Sequence, residues 1–298
     1  MHQLFFERWI RLMKKKSIGI IVVILIVVAV GGGAYYFMNQ KSNNQTTTQV
    51  AKTTKKVVKP KKKVIPKKKQ ISIVAVGDSL TQGVGDSSKA GGGYVTRLQS
   101  KVQENYKVPT QSHNYGVSGD TSSQIMARIK SDKKMHQDLP KADIITVTVG
   151  GNDFMHLLQR KGIDLTAGDI ADEQVKFDKR LKQLLTDIRN YNDSAPIYLI
   201  GIYNPFSIYL SNVKNAKIAF INWNKGSAKI AGEFNKTYFV DINNLYQNKT
   251  IDKKVKKTGT NPYLYKKDHF HPNGTGYDMM TQRVFDEVSV TKKEWLFK

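Results

Sequence analysis

Residues 71–83 read Ile-Ser-Ile-Val-Ala-Val-Gly-Asp-Ser-Leu-Thr-Gln-Gly. The first six residues form a short, mostly apolar run rich in β-branched side chains, which predicts a buried strand. Ser79 follows at once on a glycine-containing turn, so its hydroxyl is predicted at the C-terminal end of that strand. Open α/β sheets bind their ligands at this edge. A serine there is a weak nucleophile until a base, an orienting acid and an oxyanion site surround it.

Three further motifs supply candidates for these partners. They are Asn-Tyr-Gly-Val-Ser-Gly-Asp-Thr-Ser at 114–122, Val-Thr-Val-Gly-Gly-Asn-Asp at 147–153 and Asp-His-Phe-His-Pro-Asn at 268–273. Together with Gly-Asp-Ser-Leu at 77–80, and in this order, they resemble the SGNH (GDSL-type) hydrolase family of serine esterases and lipases. The Gly-Asp-Ser-Leu-Thr and Ser-Gly-Asp-Thr-Ser motifs resemble the lysophospholipase/thioesterase branch. The resemblance runs from about Ile71 to the C-terminal helix.

The resemblance implies a role for each motif. Ser79 is the nucleophile, His271 is its base, and Asp268 orients the imidazole and stabilises its charged form. The oxyanion donors implied are the backbone N–H groups of Ser79 and Gly119 and the side-chain amide of Asn152. His269 competes with His271 for the role of base, but only His271 has the Asp-x-x-His-Pro context.

Aspartates adjoin three of the proposed site residues, which raises the question of a metal site. No His, Asp or Glu spacing matches a metal-ligand motif, so neither metal nor cofactor is expected. We predict instead that Asp78, Asp120 and Asp153 hydrogen-bond the loop backbones beside the site. The chain has no cysteine, which excludes disulfides, thiol catalysis and thiolate metal sites.

Strand and helix patterns alternate along the chain, as in a parallel sheet covered on both faces. Together with the resemblance they imply an α/β fold, a flavodoxin-like three-layer α/β/α sandwich with a five-stranded parallel sheet. Strands are predicted at 71–76, 110–113, 143–149, 196–203 and 238–242, and helices at 91–106, 121–131, 172–191, 213–234 and 274–288.

The N-terminal part has a different composition. Residues 1–16 form a basic tail, and residues 17–38 are almost free of charge and long enough to cross a bilayer as a helix. The basic residues before this segment favour a cytoplasmic N-terminus. The sequence therefore predicts a transmembrane anchor at 17–38, with a cleaved signal peptide as the alternative. Either interpretation exports the domain at 71–298.

Residues 39–70 contain 11 lysines and no acidic residue, which predicts an extended, disordered tether. The formal net charge of the 298-residue chain is +24. Beside a membrane segment, the tether is expected to contact anionic lipid or an acidic wall polymer, or to serve as a spacer, rather than to bind a specific nucleic acid.

These features predict a membrane-anchored, extracytoplasmic serine hydrolase that cleaves carboxylic esters or thioesters through an acyl-enzyme. The substrate is expected to be an acyl ester from lipid or the cell envelope. An O-acetylesterase acting on envelope polysaccharide is the alternative enzyme, and residues 203–209 are the variable wall that could shape its pocket. A non-catalytic envelope-binding module is the alternative from another class.

Overall fold

The computed structural model describes residues 65–205 and 216–298. The basic tail, the anchor predicted at 17–38 and most of the predicted tether lie outside the described residues. Among the described residues, no helix combines the length and the apolar character that a membrane span requires.

Five strands and nine α-helices are described, joined by loops and by two short 3-10 turns at Leu139–Lys141 and Gly162–Asp164. The strands are β1 (Ile71–Gly77), β2 (Thr110–Gly116), β3 (Ile144–Thr148), β4 (Ile197–Ile200) and β5 (Thr237–Val240). The helices are α1 (Ser79–Gln82), α2 (Gly93–Tyr106), α3 (Ser122–Ser131), α4 (Lys133–Asp138), α5 (Gly151–Lys161), α6 (Ala167–Tyr191), α7 (Ala216–Ala231), α8 (Lys249–Thr258) and α9 (Gly274–Val290).

All strand pairs are parallel, and the strand order is β2-β1-β3-β4-β5. This is the flavodoxin-like order, in which ligands bind outside the carboxyl ends of the strands where the order reverses. That point lies between β1 and β3, whose carboxyl ends lead into the Ser79 turn and the Gly-Gly-Asn-Asp motif. The predicted five-stranded parallel sheet is confirmed.

Two hydrophobic cores cover the two faces of the sheet and complete the three layers. Helices α3, α4, α5, α6 and α7 contribute to one core, which includes Phe154, Phe177 and Trp223. Helices α2 and α9 contribute to the other, which includes Tyr94, Tyr277 and Trp295. Because both faces of the sheet are covered, all seven residues of β1 are buried, which explains why the strand is mostly apolar rather than alternating.

Several elements differ from the predicted bounds. The long helix begins at Ala167, five residues before the predicted start, because Thr166 and Asp169 form a capping box there. Helices α1, α4, α5 and α8 were not predicted, and a turn was predicted where α1 lies. Helix α8 has a short apolar pattern in the sequence, because only Ile251 and Val255 are buried and five of its other residues are lysines.

The end of the predicted tether contacts the domain. Lys67 forms an antiparallel bridge with Phe297, and the Lys68 amide donates to the Leu296 carbonyl at 2.9 Å. The Lys68 ammonium also pairs with Asp143. The folded part therefore begins before the predicted boundary at Ile71.

Candidate active site

Ser79 lies at the C-terminal end of β1, as the first residue of the short helix α1. The Asp78 side chain caps this helix by accepting a hydrogen bond of 3.0 Å from the Leu80 amide. Ser79 is buried, with 5% of its surface exposed. The predicted position of this serine at the carboxyl edge of the sheet matches the described geometry.

A buried polar network lies beneath the Ser79 turn. Thr148, at the end of β3, donates from Oγ1 to Asp78 Oδ1 at 2.8 Å. Thr81 Oγ1 lies 2.8 Å from Thr148 Oγ1 and 3.0 Å from Tyr94 Oη. Burial raises the pKa of Asp78, and its hydrogen bonds oppose that shift. The network joins β1, β3 and α2 under the turn, so the backbone around Ser79 is fixed from below.

Asp268 and His271 form a hydrogen-bonded pair in the loop before α9. His271 Nδ1 lies 2.8 Å from Asp268 Oδ2, while Asp268 Oδ1 accepts from the Phe270 and His271 amides at 2.9 and 3.1 Å. Burial alone would raise the pKa of Asp268, but these hydrogen bonds lower it below its ordinary value of 3.8. The carboxylate is therefore ionised at neutral pH and can stabilise an imidazolium.

The loop with His271 packs directly against the loop that follows Ser79. Gly85 has a left-handed backbone (φ +89°), and a Cβ there would lie 3.0 Å from His271 Cβ and 2.6 Å from the Pro272 carbonyl oxygen. Tyr277 in α9 donates its hydroxyl to the Val84 carbonyl at 2.8 Å. A larger residue at position 85 would separate the two loops, so glycine there sets their approach.

The phenol of Tyr203 connects the same loop to the segment that follows β4. Its hydroxyl donates to the Phe270 carbonyl at 2.6 Å, and its ring packs edge-on against Tyr246 at 4.6 Å. Among the described contacts, no hydrogen bond joins Ser79 to His271. Catalytic hydrogen bonds often form fully only in the substrate complex. His271 therefore stays the candidate base without a hydrogen bond to Ser79 in this structure.

Gly119, in the loop before α3, and Asn152, in the first turn of α5, lie at the same edge of the sheet. Gly119 has φ +87°, and a Cβ there would face open space. Asn152, near the start of α5, donates from Nδ2 to the Asp120 carbonyl at 2.8 Å. The structure therefore brings the two predicted oxyanion segments into direct contact.

The three aspartates of the motifs support the loops in different ways. Asp153 accepts from the Ser122 amide at 2.9 Å and from its hydroxyl at 2.6 Å, and Asp78 accepts from a backbone amide as predicted. Asp120 instead pairs with Arg128 Nε at 2.6 Å. In the described part of the chain, no group of His, Asp and Glu side chains could hold a metal ion.

Arg128 was not predicted as a site residue. It donates to the Tyr115 carbonyl and the Gly77 carbonyl, both at 2.9 Å, besides its contact with Asp120. One guanidinium thus joins the ends of β1 and β2 to the Gly119 loop. Gly85 and Tyr277 were missed in the same way. The glycines at 83 and 85, spaced by one residue, were the local signal that a close approach follows the nucleophile.

A small pocket opens beside Ser79 and Asn152. Its volume is about 30 Å³, which is room for about two water molecules. The apolar part of its wall comprises Leu80, Val149, Ile202, Tyr203 and Phe270. This arrangement can hold an acyl group with its carbonyl carbon near the Ser79 hydroxyl.

Comparison with known proteins gives concordant matches. Residues 75–279 match the GDSL-like Lipase/Acylhydrolase family. The chain is 32% identical over 231 residues to the uncharacterized protein YpmR of Bacillus subtilis, covering 77% of this chain and 85% of that protein. It is 26% identical over 219 residues to the spore germination lipase LipC of Bacillus licheniformis, covering 72% and 94% of the two chains.

The fold also matches solved structures. The lipase Lip_vut3 from a goat rumen metagenome superposes with a TM-score of 0.59 at 24% identity, over 72% of this chain and 95% of that one. At this identity the likeness concerns the fold.

Proposed function

The chain belongs to the GDSL-like lipase/acylhydrolase family and is a carboxylic ester hydrolase, and from this premise we propose that it works through an acyl-enzyme formed on Ser79. One observation carries the proposal. The Asp268–His271 pair, with its 2.8 Å hydrogen bond, lies on a loop that packs against the Ser79 loop through Gly85.

In the first step, Ser79 Oγ attacks the ester carbonyl carbon and His271 Nε2 takes the hydroxyl proton. Asp268 holds Nδ1 and stabilises the imidazolium that forms. The tetrahedral intermediate collapses, and the imidazolium protonates the leaving alcohol or thiol. Water then attacks the acyl-enzyme and loses a proton to His271. The second tetrahedral intermediate collapses as the imidazolium returns that proton to Ser79 Oγ, which releases the acid product.

Negative charge develops on the carbonyl oxygen in both steps. The N–H groups of Ser79 and Gly119 and the Asn152 amide are the proposed donors to that oxygen. One N–H of Asn152 is already bonded to Asp120, which orients the amide and leaves its second N–H for the substrate. A fixed donor of this kind lowers the activation free energy by about 3 kcal/mol.

A fluorophosphonate probe tests the nucleophile directly. We expect the probe to label the full chain at Ser79, as identified by peptide mass spectrometry, and to leave the Ser79→Ala variant unlabelled and inactive on p-nitrophenyl esters. Labelling of another residue would contradict the assignment to Ser79, and no labelling of the native chain would favour a binding module.

For the substrate, we propose an acyl ester of lipid or lysophospholipid type, or a thioester. The motif resemblance and the similarity to a Bacillus lipase support this choice. The described pocket favours a second candidate, an O-acetylesterase acting on envelope polysaccharide, since about 30 Å³ suits an acetyl group better than a long chain. A panel of p-nitrophenyl esters from acetyl to palmitoyl, with lysophospholipid and acetylated glycan, separates the two.

We also propose that the enzyme is anchored in the membrane by residues 17–38, with its N-terminus cytoplasmic and the hydrolase domain outside. The apolar composition of 17–38 and the basic residues before it support this topology. Protease added to intact cells should degrade the domain, which should otherwise sediment with membranes. Recovery of the domain in the medium would indicate signal cleavage.

A further inference from the structure

Seven lysines are concentrated in the segment that connects β5 to the His271 loop. Five lie on α8, Lys249, Lys253, Lys254, Lys256 and Lys257, and two lie just before Asp268, Lys266 and Lys267. All seven are exposed. We call this set the lysine face.

The charge of the lysine face is not neutralised within the domain. In the described part of the chain, none of the seven ammonium groups forms an ion pair, whereas Lys68, Lys130, Lys161 and Lys182 do. Residues 249–268 carry seven lysines and two aspartates, a net charge of +5. One of these aspartates, Asp268, is engaged by His271.

The apolar side of α8 is already used within the fold. Ile251 and Val255 are 5% and 4% exposed. A helix that inserts into a bilayer exposes a face of large apolar side chains, and α8 does not. What it exposes is lysine, whose compact ammonium groups attract anionic surfaces without insertion.

The segment that carries the lysine face reaches the candidate active site at both of its ends. Tyr246, three residues before α8, packs against the pocket residue Tyr203 at 4.6 Å. At the other end, Lys267 directly precedes Asp268. A planar anionic surface bound by the lysine face would therefore lie next to the entrance to Ser79.

We propose that the lysine face binds an anionic lipid bilayer and turns the active site towards it. The choice of a bilayer rests on the proposed membrane location: 26 residues separate Met38 from Ile65, and even fully extended they span at most about 90 Å. Each lysine close to an anionic leaflet contributes measurably to binding, and salt screens the attraction.

The test measures distance to the bilayer without using catalysis. Because the chain has no cysteine, Thr260→Cys gives one labelling site beside the lysine face and Ser194→Cys gives one at the opposite edge of the sheet, before β4. Each cysteine is labelled with a donor fluorophore, and the full chain is reconstituted into vesicles whose lipid headgroups carry an acceptor dye. We expect strong energy transfer from position 260 on vesicles with about 30% phosphatidylglycerol and weak transfer on phosphatidylcholine alone, with the signal lost at about 0.5 M salt.

Two sets of variants decide the outcome. Replacing Lys253, Lys254, Lys256 and Lys257 by glutamine should reduce transfer from position 260 to the phosphatidylcholine level. The control variant replaces by glutamine four exposed lysines of α4 and α6, in the other layer: Lys133, Lys134, Lys176 and Lys179. It should leave the energy transfer from position 260 unchanged. Both variants should hydrolyse p-nitrophenyl acetate as the parent does, which shows that they fold.

Equal transfer from the two labelling positions, or an unchanged signal after the α8 substitutions, would overturn the proposal. Binding of soluble polyphosphate without energy transfer to the anionic vesicles would assign the face to an acidic polymer instead. Failure of the fluorophosphonate test at Ser79 would refute the catalytic assignment while leaving this measurement intact.

Discussion

His269 and His271 lie two residues apart in one loop, but they have different surroundings. His271 Nδ1 lies 2.8 Å from Asp268 Oδ2. His269 has a left-handed backbone (φ 54°) and donates its amide to the Tyr265 carbonyl. The tight turn at His269 is what brings Asp268 and the ring of His271 together.

This difference predicts unequal effects of removing the two rings. His271→Ala should lower kcat/KM for p-nitrophenyl esters by at least about 10⁴, and combining it with Ser79→Ala should cost little more, since the two residues act as a unit. His269→Ala should stay within about tenfold of the native rate. Steady-state kinetics on the three variants checks this, and the reverse ranking would make His269 the base.

Asn152 permits a separate test of transition-state binding. Asn152→Ala should lower kcat by about 10²–10³ with little change in KM, because the amide acts mainly on the developing oxyanion. Asn152→Asp keeps the shape, removes the donor and adds a negative charge beside the oxyanion, so kcat should fall at least as far. An effect confined to KM would indicate that Asn152 binds the ground state.

At the scale of secondary structure, one arginine joins the loop after Ser79 to α2 and α9. Arg97 in α2 contacts Asp86 in that loop and Asp278 in α9, the latter at 2.7 Å. Burial would raise the pKa of Asp86, but hydrogen bonds from Arg97 and Ser88 lower it below its ordinary value of 3.8. Arg97 thus links the loop after Ser79 to α9 through two ion pairs, of which the one with Asp86 is buried.

We therefore expect Asp86→Asn to lower the free energy of unfolding by about 3 kcal/mol at pH 7, since it leaves Arg97 without its buried partner. A carboxylate with a lowered folded-state pKa stabilises the fold above its unfolded pKa and loses that effect as the pH falls through the folded value. The difference from the native chain should therefore shrink below about pH 3.8. Denaturant titrations at several pH values check this.

The exposed Asp172 provides a matched control, because Asp172→Asn should change the free energy of unfolding by less than about 0.5 kcal/mol at any of these pH values. A penalty for Asp86→Asn that stays constant down to pH 2.5 would show that the loss comes from packing rather than from the charge.

For the whole molecule, residues 65–298 contain the complete sheet, both cores and every candidate site residue. We expect the fragment 65–298 to be folded and to hydrolyse soluble short esters as fast as the full chain. A fragment starting at Ile71 should have a lower melting temperature, because it lacks the Lys67–Phe297 bridge and the Lys68–Asp143 ion pair.

Differential scanning calorimetry and p-nitrophenyl acetate kinetics on the two fragments check this expectation. Inactivity of the longer fragment would show that residues 1–64 contribute to the enzyme. Equal melting temperatures would show that the N-terminal contacts add nothing to stability.

The sequence by itself determined the features whose cause is local. The apolar run before Ser79 specifies a strand buried on both faces, and the order of the four motifs specifies which strand ends carry polar side chains. Asp268 and His271 could be paired from sequence because their three-residue spacing fits one turn. Alternation of strands and helices then restricts the sheet to a parallel one, because parallel strands need crossover helices.

Only the tertiary structure decided the contacts between segments far apart in the chain. The approach of Gly85 to His271, the hydrogen bond of Tyr203 to Phe270 and the three-way contact of Arg128 join residues that no local pattern relates. The pairing of Lys67 with Phe297 is another such long-range contact. It shows that ordered structure begins within a segment whose composition predicts disorder. Composition and periodicity indicate which side chains of a single element must be buried. These contacts depend instead on the order of the strands and the packing of the helices, which decide which loop ends lie next to one another.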